Sequence, residues 1–326
     1  MLKSFSVSAR ALGAAVIALA AFAGPVRAEY PDRPVTLIVP FAPGGSTDLV
    51  ARIVAAKMTE ILKQSVIVEN RGGAGGSLGA TAVAKAAPDG YTILMATVAT
   101  HALNPALYKK IQYDAVKDFE PITLLVNVPN VLTVNPKFEA KTVQELIDMA
   151  KKDPGKYAYA SSGNGSPLHL SGELFKKMAG VDLIHIPYKG SGPALVDVLS
   201  GQVPMQFDNL PSSIEHVKAG RLRALGVTTA QRVPNLPDVP AIAETLPGYE
   251  TYSWNALFAP AGTPKEIVAK LHDAGVEALK DPGVKQKLTD ATAVIVGSTP
   301  EELGEHVKKE LAKWAPIVKD SGAQID

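Results

Sequence analysis

Four glycine-rich stretches hold the residues whose types and spacing could do chemistry. Gly75-Gly76-Ser77-Leu78-Gly79 has the G-x-S-x-G spacing of a hydrolase nucleophile elbow, which presents a serine on a sharp strand-to-helix turn. The other three are Pro40-Phe41-Ala42-Pro43-Gly44-Gly45-Ser46-Thr47-Asp48, Ser161-Ser162-Gly163-Asn164-Gly165-Ser166-Pro167 and Pro187-Tyr188-Lys189-Gly190-Ser191-Gly192-Pro193. Their glycines let the backbone approach a guest, and Ser46, Thr47 and Asp48 are good residues to begin a helix. A helix start offers unpaired N–H groups and a partial positive charge, so such a loop can hold an anion. An ordinary βα turn uses the same residues, and each loop alone reads either way.

The elbow fails on context. At least five loop residues separate Ser77 from the strand before it, and none of His101, His169, His185, His216, His272 and His306 has a local signature marking it as the base. A periplasmic hydrolase using Ser77 or a loop serine stays as the alternative function. Nucleotide fingerprints are missed: Gly73-Ala74-Gly75 is followed by glycine at 76 and 79 rather than 78, and Gly155-Lys156-Tyr157 lacks the hydroxyl of a P-loop. No histidine pair has metal-ligand spacing, and the chain has no cysteine, so thiolate nucleophiles, disulfides and Cys-ligated metals are excluded. No cofactor and no metal is expected.

Single residues near the loops keep two readings each. His169 follows the Ser161–Ser166 loop and either touches a guest or packs; His185 alternates with apolar strand residues and reads as a packed, hydrogen-bonded core group. Lys189 either neutralises an anion or is a solvated loop lysine. Asp208 ends a strand and either accepts from a guest hydroxyl, amine or protonated carboxyl or caps the next turn. Trp254 and Tyr252 read as core or hinge packing. The convergence decides: three strand ends carry glycine-serine loops rich in donors and poor in reactive groups, which is what a carboxylate needs from a receptor rather than from an enzyme.

The elements that must position these loops follow from hydrophobic period. Val35–Val39 is an apolar run, and Val50, Ile53, Val54, Met58 and Ile61 then recur at helical spacing. Strands are expected at Ser65–Asn70, Tyr91–Ala96, Tyr157–Ala160, Leu183–Ile186, Val203–Asp208 and Leu222–Val227. Helices are expected at Leu78–Ala87, Thr142–Lys152, after Pro167, after Pro193, around Ile214–Ala219, and at Pro264–Leu279, Pro282–Thr289 and Pro300–Lys319. Two long extended stretches, Phe119–Pro136 and Tyr252–Pro260, have no helical period. This β-loop-α alternation argues for a mixed or parallel α/β sheet, in which ligands gather beyond the carboxyl ends of the strands.

Lys3 and Arg10 precede an apolar run, Ala11–Ala23, and Val26-Arg27-Ala28 supplies small residues before Glu29. This is the pattern of a secretory signal peptide cleaved after Ala28, and the run is too short for an anchoring helix. What remains of the 326 residues suits two domains at about 150 residues each. The leader takes Lys3, Arg10 and Arg27 from the 33 basic residues and nothing from the 32 acidic ones, so the mature chain is slightly acidic. No nucleic acid partner and no anionic membrane surface is indicated, and selectivity for anions must be local. With 46% hydrophobic residues the chain can bury its own core without disulfides.

The chain resembles the tripartite tricarboxylate transporter receptors, the Bug or TctC family. The segments that carry the resemblance are Tyr30–Pro34, Pro40–Asp48, Val68–Arg71 through Asp89–Tyr91, Tyr159–Pro167, Pro187–Gly190, Phe207–Pro211 and Leu257–Pro264. The match covers essentially the whole mature chain; the one small departure is Gly73, where the family would have proline. The resemblance implies a periplasmic two-lobed binding protein of type II topology, each lobe a mixed, mostly parallel sheet flanked by helices, joined by crossing strands near Asn130 and Ser253. Residues 1–28 would be the signal peptide, 29–130 with 253–326 lobe one, and 131–252 lobe two. It further implies that the lobes close over a small organic carboxylate and deliver it to membrane permease subunits. A monomer is expected, and a receptor that reports the ligand to a signalling system, instead of or besides feeding transport, is a further alternative. The carboxylate would be held by Phe41, Gly45, Ser46, Thr47 and Asp48 of lobe one and by Lys189, Gly190, Ser191 and Gly192 of lobe two, largely through main-chain groups and bound water. Thr97, Ser162, Gly163, Ser166, His169 and Asp208 would meet the ligand's far end.

Overall fold

The computed structural model of the protein describes residues 30–321. The expected leader and its cleavage site after Ala28 lie outside them. Strands β1 (Val35–Val39), β2 (Val66–Asn70) and β3 (Thr92–Thr97) pair in parallel around β1 and alternate with helices α1 (Ser46–Leu62) and α2 (Ser77–Ala84). Strands β5 (Ala158–Ser161), β6 (Ile184–Pro187) and β7 (Met205–Asn209) repeat the pattern, parallel around β5. Helices α5 (Pro167–Ala179) and α6 (Ser191–Ser200) follow β5 and β6, and α7 (Leu210–Lys218) follows β7.

Two long strands join these groups. β4 (Phe119–Val134) lies antiparallel to β9 (Tyr252–Pro260), which in turn lies antiparallel to β3. Up to Pro129, β4 pairs with β9; from Asn130 to Val134 it pairs with β7 and with β8 (Arg223–Val227). The sheet order is therefore β2-β1-β3-β9-β4-β7-β5-β6, a mixed sheet through which β4 runs from one group into the other. β4 is buried along nearly its whole length, mostly by apolar residues, as a strand covered on both faces is. The architecture is the two-lobed mixed α/β fold.

Each group has its own core. Ile38, Leu94, Trp254 and Phe258 are buried with Trp314 of α10 (Pro300–Ser321), the last helix after α8 (Lys265–Lys280) and α9 (Pro282–Asp290). The Trp254 and Trp314 indoles both donate to Glu310 Oε2 at 3.1 Å, which satisfies both buried N–H groups. The second core gathers Leu132, Tyr159, Phe175, Phe207 and Tyr249 against α4 (Val143–Lys152). That helix shows its sequence logic plainly: Val143, Leu146, Ile147 and Ala150 are buried, Thr142 caps the Glu145 amide, and Lys151 and Lys152 lie in the last turn.

Four stretches depart from the sequence expectation. Helix α2 ends at Ala84 instead of Ala87, and α7 starts at Leu210 instead of near Ile214, with Pro211 in its first turn, where proline's missing N–H costs nothing. After Thr97 the chain makes a π-helical turn, Ala99–Leu103, and the short helix α3 (Asn104–Leu107), in a stretch whose continuous burial hides any period. The two-residue strand β10 (Val294–Ile295) beside β4 is too short to leave a pattern.

Helix α5 sits directly on β5 at Gly172, where an added Cβ would fall inside the Tyr159 ring. Tyr159 cannot swing away, because its hydroxyl donates to the His169 carbonyl at 3.2 Å and to Glu173 Oε1 at 2.8 Å. Gly172→Ala is expected to lower unfolding stability by about 1–3 kcal/mol, the usual cost of overpacking, read as a lower midpoint in urea.

Candidate functional site

The loop after β1 delivers an open helix start. Gly45 is the N-cap of α1, in extended conformation, and has no side chain to close the helix. The first-turn amides of Ser46, Thr47 and Asp48 therefore have no intrahelical partner. The loop is held from behind. Asp48 Oδ2 accepts from the Gly44 amide and from Arg52 Nε, each at 3.0 Å, and Oδ1 accepts from Asn70 Nδ2 at 2.9 Å. Asn70 Nδ2 also donates to the Phe41 carbonyl at 3.0 Å, and Arg52 Nη2 donates to Asn70 Oδ1 at 3.1 Å. Burial pushes the Asp48 carboxyl up, but the hydrogen bonds and the charge of Arg52 outweigh it and hold the group below the usual range. Asp48 is thus a buried anion spent on the loop's own shape.

Ser77 begins α2 against the same strand end. Gly79 brings that helix so close that an added Cβ would lie 2.9 Å from Pro40 Cα and 2.8 Å from the Arg71 carbonyl. The Ser77 hydroxyl accepts from Asn104 Nδ2 at 3.0 Å, an amide that cannot act as a base.

A second open start lies at α6. Its N-cap is Gly190, at φ 113°, again without a side-chain cap, and Lys189 and Gly192 beside it are exposed. The Gly190 amide donates to the Ser162 carbonyl and the Tyr188 amide to the Ser161 carbonyl, both at 3.1 Å, so this loop rests on the Ser161–Ser166 loop. Gly163, at φ 134°, meets the Tyr188 carbonyl where a Cβ would be 3.0 Å away. Helix α5 differs: Ser166 Oγ accepts from the His169 amide at 3.1 Å and closes its start.

Asp208 and Asn209, at the end of β7, join the two open starts. Asp208 Oδ2 accepts from Ser213 Oγ at 2.6 Å and Oδ1 from the Asn209 amide at 2.8 Å, and the hydroxyls of Ser191 and Ser212 lie near enough to favour its charged form. It is fully buried, and burial raises its pKa against those hydrogen bonds. The next residue reaches the loop after β1: Asn209 Nδ2 donates to Ser46 Oγ at 2.8 Å. The head of α6, with Ser191 beside Asp208, thus lies next to the residue that bonds the head of α1.

Under the head of α1 runs a polar seam on the crossing strands. Ser253 Oγ donates to Asn209 Oδ1 at 3.0 Å and lies 3.3 Å from Asn130 Oδ1; Asn255 Nδ2 reaches Thr47 Oγ1 at 3.3 Å. Thr97 stands directly opposite Asn255 in the β3–β9 pair. Its backbone is clamped by Thr100, whose Oγ1 accepts from the Thr97 amide at 3.0 Å and lies 3.1 Å from the Thr97 carbonyl.

The structure thus brings Ser46, Thr47, Thr97 and Asp208 into one neighbourhood, with Ser191 beside Asp208 and with Ser162, Gly163 and Gly190 packed together at the loop before α6. His169 serves the loop from within. Its Nδ1 accepts from the Gly165 amide at 3.0 Å, its ring stacks on His185 with centroids 3.8 Å apart, and the His185 Nε2 lies 2.7 Å from Ser161 Oγ. Sequence reading did not single out Asn70, Asn209 or Asn255 as site residues. Asn255 carried a usable signal: an amide inside an otherwise apolar strand run must find a partner when buried.

A family model described as "Tripartite tricarboxylate transporter family receptor" matches residues 50–323. Among curated relatives, protein BugT of Bordetella pertussis is 40% identical over 312 residues, covering 95% of this chain and 96% of its own. Among solved structures, the adipate complex of Rpa4515 from Rhodopseudomonas palustris superposes with a TM-score of 0.86 at 42% identity, covering 90% of this chain and 99% of that one. MatC from the same organism, with bound malate, gives a TM-score of 0.83 at 38% identity, with coverage of 89% and 100%.

The stacked histidines make the second jaw sensitive to acid. Burial is the main cause that pulls His169 down to about 4 and His185 down to about 3, with Lys176 adding to both; Glu173 pushes His169 the other way. The unfolded chain would bind protons at about pH 6.5, before the folded one does. Stability is therefore full above that pH and is lost as pH falls, the His169 contribution levelling off near 4 and that of His185 near 3. His169 can contribute a slope of up to about 1.4 kcal/mol per pH unit. Melting curves between pH 7 and pH 4 should show this loss in the native chain and a shallower one in His169→Gln.

Proposed function

We propose, on the premise that the chain belongs to the tripartite tricarboxylate transporter receptor family, that it captures a small carboxylate between two lobes and hands it to the membrane subunits of a transporter. Members of that family are solute-binding receptors rather than enzymes, and among the described residues no helix is long and apolar enough to cross a membrane. The periplasm is the compartment that fits a leader cleaved after Ala28.

The observation that carries the reading is the pair of uncapped helix starts, α1 at Gly45 and α6 at Gly190, with Asn209, next in sequence to the buried Asp208, bonded to Ser46 at the head of α1. Two such starts offer a carboxylate main-chain N–H donors and the positive ends of two helix dipoles. Phe41 and Gly45–Asp48 form one jaw and Lys189–Gly192 the other, with the exposed Lys189 adding a full charge. Thr97, Ser162, Gly163 and Ser166 border the ligand's remaining length. Asp48, His169 and Asp208 act through the loops they hold in shape. The lobes divide as 29–130 with 253–326 and 131–252, a division supported by the change of β4's partners at Asn130. Both jaws come from one chain, so a monomer suffices. Adipate and malate in the two relatives support a dicarboxylate-sized guest.

A thermal-shift screen over dicarboxylates, citrate, amino acids and aromatic acids tests this. A true ligand at 100 times its Kd should add about 2.7 kcal/mol of stability and should be recovered chemically unchanged; turnover would replace the receptor by a hydrolase. Lys189→Ala should leave the ligand-free melting temperature unchanged and weaken that ligand about fivefold to tenfold, the range of one partly exposed charge-assisted bond.

A further inference from the structure

The head of α1 already holds an anion. Asp48 is the third residue of that helix, more than nine-tenths buried, in the same turn as the amides of Ser46 and Thr47. A carboxylate at this position ordinarily reaches back to the free amides in front of it, where the helix dipole favours it. A ligand carboxylate at the same helix start would meet it as a competitor. We propose that Asn70 is a positioning residue that draws the Asp48 carboxylate off the helix start, so that the Ser46 and Thr47 amides stay open to a guest. This rests on the carboxylate-receptor reading above and adds to it a residue that acts through Asp48.

The placement of Asn70 suits the task. It ends β2 opposite Val39, the last residue of β1, so it is fixed on the sheet at the level where the loop begins. Its amide nitrogen donates to the Phe41 carbonyl at 3.0 Å and to Asp48 Oδ1 at 2.9 Å, while its Oδ1 accepts from Arg52 Nη2 at 3.1 Å. Phe41 at the start of the loop, Asp48 in the first turn of α1 and Arg52 one turn later are thereby tied to one strand end. Asparagine fits because two donors and an acceptor are all used; an aspartate there would set a second carboxylate against Asp48 Oδ1.

The other partners of Asp48 are less firmly placed. The Gly44 amide, at 3.0 Å, belongs to the loop itself and moves with it. Arg52, also at 3.0 Å, sits on a half-exposed, long side chain of the same helix. Without Asn70, Asp48 keeps its charge and loses its partner outside its own loop and helix. The donors left without an intrahelical partner in its own turn are then the first-turn amides. A carboxylate drawn to them excludes a second one, since like charges at one helix start repel.

The test compares the purified full chain with Asn70→Ala and with Asn70→Ala combined with Asp48→Asn. Without any ligand, amide hydrogen exchange followed by NMR should be fast at Ser46 and Thr47 in the native chain and slower in Asn70→Ala, where Asp48 caps them. Calorimetric titration with adipate and with malate should show Asn70→Ala binding about tenfold more weakly than the native chain, the scale of one charge at a helix start. The combined variant should recover most of that loss. A loop that had merely lost its shape would give faster exchange and no recovery. Exchange at Ser46 and Thr47 that is unchanged or faster in Asn70→Ala overturns the proposal, and so does a combined variant that binds no more tightly than Asn70→Ala. Asn70→Ser, which keeps a donor at that position, supplies the same comparison should Asn70→Ala not fold. If the native chain binds neither acid, the exchange result decides alone, and the wider carboxylate screen remains the trial of the receptor reading.

Discussion

One asparagine couples the two halves of this molecule. Asn209 ends β7, gives its side-chain N–H to Ser46 at the head of α1, and takes a hydrogen bond from Ser253 on the long strand β9. The apolar cores on either side are separate and would each stabilise an α/β unit alone. What relates them is the strand β4, which keeps its backbone ladder while exchanging one set of neighbours for another at Asn130. Amides at such a crossing have a physical advantage over apolar side chains. When lobes part, an amide exchanges a protein partner for water at small net cost, whereas an apolar contact would be lost outright. Specific closure and easy opening are both compatible with a polar seam.

The same economy governs charge. The chain has 33 basic and 32 acidic residues, so no overall field draws anions to it. The acidic groups nearest the candidate site are neutralised locally instead. Asp48 is surrounded by an arginine, an asparagine and a main-chain amide, and Asp208 by hydroxyls and a main-chain amide. Each shapes a loop whose open helix start then presents positive potential to the opposite side. The buried carboxylates position the donors; the donors are free because glycine, not a capping side chain, stands before each helix. Ser166, which does cap its own helix, shows the alternative within the same lobe.

Most of the frame was legible in the sequence, for a physical reason. The strand β9 was read with its observed limits, and β4 nearly so, because a strand covered on both faces must be apolar and cannot carry a helical period. The amphipathic helix α4 was equally plain, since its cap and buried face repeat what the sequence spells. The stretch after Thr97 was not legible: a π-helical turn buried all round leaves no period to detect. At the site, the loops were visible as glycine-serine clusters, but the partners that hold them were not. Asn70 is far from Asp48 in sequence, and Asn209 lies 163 residues from Ser46; pairings at such separations have no local signature. The role of His169 was undecided for the same reason, since its partner ring, His185, arrives from the neighbouring strand.

The arrangement also separates what grips from what selects. A ligand shifts a clamp towards closure only by contacts that exist in the closed form. On the reading proposed above, main-chain donors at α1 and α6 would form one site while Asn209 meets Ser46, and a carboxylate placed between them would favour closure whatever else the ligand carries. Because backbone donors are the same for every amino acid, that grip cannot tell one carboxylate from another. Discrimination therefore has to come from side chains held in fixed positions rather than from the main-chain donors themselves.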